Sequence, residues 1–196
     1  PTPTLYQQEP GKSALFVDTL PERRRADVEL LYITDRAPET NPESDQPYGE
    51  GRSRSLIFGT ATVEMVPGLA WAELEYQSRL PERTRIVNLE LGSVTEAGQF
   101  PQEPYDLKVT PAGVERSPAA IKEHGRARGE FQDLLREQLR HSPSKEVVLY
   151  VHGFNETFGT AAKTMGELCH FLGREHACAI FTWPASASGN PLFSYT

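Results

Sequence analysis

The segment VVLYVHGFNETFG, residues 147–159, decides how this chain is read. Residues 146–151 form a near-continuous apolar run, the pattern of a strand covered on both faces. The run stops at His152-Gly153. Downstream, Phe158, Ala161, Ala162, Met165, Leu168, Cys169 and Leu172 recur on one helical face, with Gly173 as the helix stop. Residues 177–183, ACAIFTW, read as a second buried strand ended by Pro184. A strand–helix–strand unit of this length implies parallel strands joined by a right-handed crossover. The fold class is therefore α/β.

In open parallel sheets, ligands bind beyond the carboxyl ends of the strands. His152, Gly153, Phe154 and Asn155 lie at such an end. Gly153 allows the backbone to turn sharply and to approach a ligand closely. Peptide N–H groups just before a helix N-terminus stabilise negative charge, as an oxyanion hole requires. The same residues also suit an ordinary tight turn, with Asn155 or Thr157 as helix N-cap.

Residues 117–140 begin with Ser117-Pro118, a helix-starting pair, and carry an apolar stripe of Phe131, Leu134, Leu135 and Leu139. Gly125 and Gly129 weaken the continuity of this helix, and Pro143 ends it. Residues 27–34, 55–66, 85–92 and 106–110 read as strands, so residues 26–116 form a β-rich lead-in to the same domain. Residues 35–55, dense in Pro, Glu, Gly and Ser, are expected to be a long and partly disordered loop. Residues 1–25, Pro-rich and charged, are expected to be a weakly ordered tail.

The 196 residues carry a formal net charge of −7 and 38% hydrophobic residues, which suits one soluble core. The acidity argues against a nucleic-acid partner, and no apolar run is long enough for a transmembrane span. Cys169 and Cys178 form no zinc-type spacing; they are expected to be packed as small apolar side chains, with a disulfide as the alternative in an exported protein. No metal site or cofactor is implied.

The ordered motifs LLYITDR, YGEGRSRSLIFGTATVEMV, VVLYVHGFN, ELCHFLG and AIFTWPA, spanning roughly residues 27–195, resemble a bacterial α/β-hydrolase family long catalogued as a domain of unknown function. The resemblance implies an esterase- or lipase-like serine hydrolase acting on small-molecule carboxylic esters. It assigns the oxyanion N–H to Phe154, loop support to His152, Gly153 and Asn155, and a site-adjacent place to Trp183 and Pro184. It also implies an exported bacterial protein of the envelope or periplasm.

The nucleophile elbow of such enzymes, G-x-S-x-G followed by an acid and a histidine, has no match here. Ser186 and Ser188 in PASASGN lack the small flanking residues. His124, His141, His170 and His176 precede the expected catalytic position and read as surface or capping residues. The chain therefore resembles the N-terminal segment of a hydrolase whose sheet is incomplete here. Its triad is expected downstream of or outside these residues, on a complementary C-terminal segment, and the chain alone is expected to be inactive. Two other classes fit the same scaffold: a non-catalytic envelope binding protein, and an amidase or peptidase.

Overall fold

The computed structural model describes residues 15–80, 84–104 and 106–185. Strands β1 (Asp27–Pro38), β2 (Tyr48–Val66) and β3 (Asn88–Gln99) precede a small hairpin, β4 (Leu107–Thr110) and β5 (Gly113–Arg116). Helix α1 (Trp71–Arg79) connects β2 to β3. Helix α2 (Pro118–Arg140), strand β6 (Val147–Val151), helix α3 (Phe158–Phe171) and strand β7 (Ala177–Thr182) follow. The main sheet has the order β3-β2-β1-β7-β6. β1–β2 and β2–β3 are antiparallel, whereas β1–β7 and β7–β6 are parallel. The α/β reading holds, with the lead-in strands and the strand–helix–strand unit in a single sheet.

Alternation along the strands separates two faces. Leu30, Tyr32, Val63, Cys178 and Ile180 face α3 and form the main core with Phe158, Ala162 and Met165. Gly166 permits this contact: a Cβ there would lie 2.8 Å from Val63 Cβ. The other face carries Phe58, whose ring meets Phe131 of α2 at 5.4 Å.

Several expectations change. Residues 15–25 are docked rather than loose: Phe16 is buried against Trp71 and His170, Thr19 Oγ1 donates to Gly173 O, and Arg23 donates to Arg174 O and His176 O. Residues 48–55, expected within a disordered loop, extend β2. Tyr48 anchors that extension, bonded to Tyr32 at 2.8 Å and packed on Phe158. Pairing and one buried aromatic outweigh a polar, glycine-rich local sequence. Helix α2 runs unbroken through Gly125 and Gly129, capped by Ser117, because Ala127 and Phe131 are packed. Helix α1 was not legible; among its residues only Leu74 and Gln77 are buried, too few to set a period.

Cys169 and Cys178 form a disulfide, not a pair of packed thiols. The last turn of α3 lies over the start of β7, so residues nine apart meet inside the core. Closing a loop of this size is worth roughly 2–3 kcal/mol. Replacing both cysteines by alanine should lower the melting temperature by about 5–10 °C. Thiol titration in denaturant should find free sulfhydryls only after reduction; free thiols without reductant would refute the pairing.

β7 lies inside the sheet between β1 and β6, and β6 forms the edge among the described strands. Val148 and Tyr150 pack on the α3 side, but Val147, Leu149 and Val151 on the opposite face are 43%, 51% and 55% exposed. The near-continuous apolar run is thus covered on one face here.

Candidate functional site

The parallel pairing of β1 with β7 ends at Thr34 and Thr182, and that of β6 with β7 ends beside it at Val151 and Phe181. Thr34 and Thr182 interrupt otherwise apolar strands. Both are fully buried: Thr34 Oγ1 donates to Thr182 O at 3.0 Å, and Thr182 Oγ1 donates to Thr34 Oγ1 at 2.9 Å. Both hydroxyls thus find a partner in the other residue, which makes their burial tolerable.

One strand further, His152 leaves β6 buried. Its Nε2 accepts the Trp183 N–H at 3.0 Å, and its Nδ1–H donates to Gly153 O at 2.7 Å. The ring stacks on Trp183 with 8° between planes and 5.3 Å between centroids. Both nitrogens are committed in the neutral tautomer, so His152 holds the loop to the end of β7 and is not placed as a proton acceptor.

The turn itself is made by Asn155, with φ of 57°, and not by Gly153. Asn155 N–H donates to Ala185 O at 2.8 Å, which ties the loop to the segment after β7 beyond Trp183 and Pro184. Over Gly153 a side chain would meet no atom within 4 Å, so the fold itself does not require glycine there. Phe154 is 41% exposed at the loop's tip.

The start of α3 is capped by the protein. Thr157 and Thr160 form a reciprocal capping box, and Gly159 N–H donates to Gln46 Oε1 at 2.9 Å. These amides and that of Asn155 are therefore not donors for a bound anion.

Arg36 fixes the loop from the other side. It is 1% exposed; one Nη donates to Gly49 O at 3.1 Å, and the other donates to Glu156 O by a short contact. Burial pulls its pKa below the usual arginine value, opposed by Asp35, Glu50 and Glu156. The guanidinium is bonded to backbone carbonyls of β2 and of the loop. The signal was available: an arginine two residues beyond the expected strand 27–34, at a strand end where sites form.

Asp35, beside it, has one carboxylate oxygen on Arg52 at 2.6 Å, while Oδ1 is buried with no hydrogen-bond partner among the described residues. Burial pushes its carboxyl above the ordinary aspartate value, against the pull of Arg52. A raised folded-state pKa means that ionised Asp35 lowers stability, and that this loss is relieved as pH falls through the folded pKa. Asp35→Asn should therefore compare best with the wild type at neutral pH and lose that advantage towards about pH 4. Urea unfolding at both pH values checks it; a constant difference would reject it.

Two serine–histidine pairs lie elsewhere, and neither is arranged for nucleophilic catalysis. Ser78 Oγ is 2.7 Å from His170 Nε2, but His170 Nδ1 accepts from Arg174 Nε at 3.0 Å. Nε2 must then carry the proton, so it cannot receive one from Ser78. His170, read as a surface or capping residue, is in fact 2% exposed, because α1 and residues 15–25 cover that side of α3. Ser144 bonds His176 Nδ1 at 2.8 Å and Glu175 O at 2.9 Å, at the opposite end of the sheet from the HGFN loop. Among the described residues no group of His, Cys, Asp and Glu could hold a metal ion. Ser186 and Ser188 lie in residues 186–196, outside the described residues.

A family model described as an alpha/beta hydrolase of unknown function (DUF900) matches residues 127–196, from the middle of α2 through β6, the HGFN loop, α3 and β7. This segment is hydrolase-like, and the α/β fold agrees with it. No curated protein and no solved structure matches the chain.

Proposed function

We propose that these residues form the front part of a serine hydrolase for carboxylic esters, with the Phe154 N–H as one donor of the oxyanion hole. The observation that carries this reading is the HGFN loop at the carboxyl end of β6, held by His152, Asn155 and Arg36 beside an uncovered strand edge. Parallel crossovers are right-handed. A connection from β7 back past β6 must therefore cross on the face opposite α3, where Val147, Leu149 and Val151 are exposed. Strand order then reverses at β6, and the switch point falls at His152–Asn155. The added strand is the natural bearer of the serine nucleophile, and we assign it to a complementary C-terminal segment of the same hydrolase.

The chemistry follows. Serine attack on the ester carbonyl places negative charge on its oxygen, and a rigidly held N–H stabilises that charge without reorganisation. The open space over Gly153 supports close approach of the acyl group. The Cys169–Cys178 disulfide supports an oxidising compartment, and we place the protein in the bacterial envelope or periplasm.

The test is labelling of the intact gene product with a fluorophosphonate probe, followed by peptide mapping. The expected result is one modified serine on a peptide outside residues 1–196, and none at the serines within them. A folded product that resists labelling and turns over no acyl ester would reject the esterase reading in favour of a non-catalytic binding protein. Turnover of amides in preference to esters would move it to the amidase class.

A further inference from the structure

A cleft of about 570 Å³ opens at the same end of the strands as the HGFN loop, on the β2–β3 side of the sheet. Asp35 sits at one end of it, next to Arg36, whose guanidinium donates to the Glu156 carbonyl of the HGFN loop. From there it runs along β2, past Arg52, Arg54 and Leu56, to Phe100 and Glu103 after β3 and to His124 of α2.

The lining selects among ligand classes. Arg52 is neutralised by Asp35 at 2.6 Å. Arg54 is held by its Nε to the backbone carbonyl of Glu103 at 2.8 Å, and Glu103 lines the same wall. Two cations and two carboxylates leave no net charge to attract an anion or an ammonium group, and either would meet a like charge. A bare alkyl chain is disfavoured too, since it would strip water from these groups and return no hydrogen bond. Leu56, Phe100 and Pro101 nevertheless supply an apolar side. The ligand that satisfies both walls is neutral, carries several hydroxyls and has an apolar face. Such hydroxyls can accept from the arginines and donate to carboxylates and to Ser53.

We propose that this cleft binds the polyol part, a sugar or glycerol unit, of an acylated substrate whose ester bond lies towards the HGFN loop. This rests on the esterase reading for its catalytic half, but the binding half stands apart from it. Two arms separate them. In the first, the intact gene product is titrated with methyl α-glucoside and with glycerol, and amide resonances of Ser53, Leu56 and Phe100 are followed by NMR. Saturable shifts at these residues for either polyol, abolished in Leu56→Trp, are expected. Absence of shifts for both would overturn the cleft's assignment whether or not the protein is an esterase.

In the second arm, kcat/KM is compared for p-nitrophenyl acetate, which is too small to need the cleft, and for acetylated methyl glucoside and monoacetin. Leu56→Trp should lower kcat/KM on the acetylated polyols at least tenfold, chiefly through KM, and change p-nitrophenyl acetate less than twofold. An equal effect on all three substrates, or none on any, would overturn the proposal. Loss of turnover on every substrate by the wild type, with NMR shifts intact, would reject the esterase reading and leave the polyol site standing.

Discussion

Replacing Arg174 by methionine should lower the melting temperature by roughly 10 °C or more and release the segment that precedes β1. Arg174 is 2% exposed and joins four parts of the chain. One Nη donates to the carbonyls of Arg23, Arg25 and Asp27, at 2.9, 2.8 and 2.8 Å; Nε donates to His170, and the guanidinium lies 5.1 Å from the centre of the Trp71 ring. Burial lowers its pKa to about 10, a sign of how little water reaches it. Methionine keeps much of the volume and leaves three carbonyls and one imidazole nitrogen without a donor. Breaking a buried charged network in this way costs on the order of 3–5 kcal/mol, and each kcal/mol is worth about 2–4 °C in a domain of this size. Trypsin provides a second readout, because Arg23, Arg24 and Arg25 become cleavable once the segment lifts away. A variant that melts within about 2 °C of the wild type and resists trypsin at those residues would show that the network is not what docks residues 15–27.

The second large effect is expected at Arg36. Arg36→Met strands the carbonyls of Gly49 and Glu156, both otherwise bonded to its guanidinium. Two unsatisfied buried acceptors cost roughly 2–4 kcal/mol together. More telling than stability is where the structure loosens. Amide exchange should accelerate at Phe154–Thr157 and at the start of β2, while α3 beyond its first turn stays protected by its own capping box. Arg36→Lys keeps the charge but can reach the two carbonyls only with one ammonium, so it should restore part of the stability and little of the loop's protection. If exchange in the loop is unchanged in Arg36→Met although the protein melts earlier, Arg36 stabilises the sheet and does not set the loop.

These residues show where sequence reading reached and where it stopped. The strand–helix–strand unit was legible because its signals are local: an apolar run, a 3.6-residue stripe, glycine and proline as stops. The position of His152–Asn155 at a strand's carboxyl end followed directly. Which residue makes the turn did not follow; the sequence pointed to Gly153, and the positive φ belongs to Asn155. That choice depends on the Ala185 carbonyl thirty residues away, which local sequence does not see.

Pairings across the chain explain the other differences. Residues 48–55 look like a loop, yet they are a strand because β1 lies beside them and Tyr48 finds Tyr32 and Phe158. Residues 15–25 look like a tail, yet Arg174 and Thr19 dock them to the turn after α3. Cys169 and Cys178 could be thiols or a disulfide until α3 is laid over β7.

By itself the sequence determined the α/β class, the parallel β6–β7 unit and the loop that carries the candidate site, since periodicity and chain punctuation act over a few residues. The tertiary structure alone decided which strand forms the edge, which polar groups converge on the loop and which histidines are tied up. Those outcomes depend on strand order and on hydrogen bonds between residues more than 150 positions apart, such as Arg174 and Arg23.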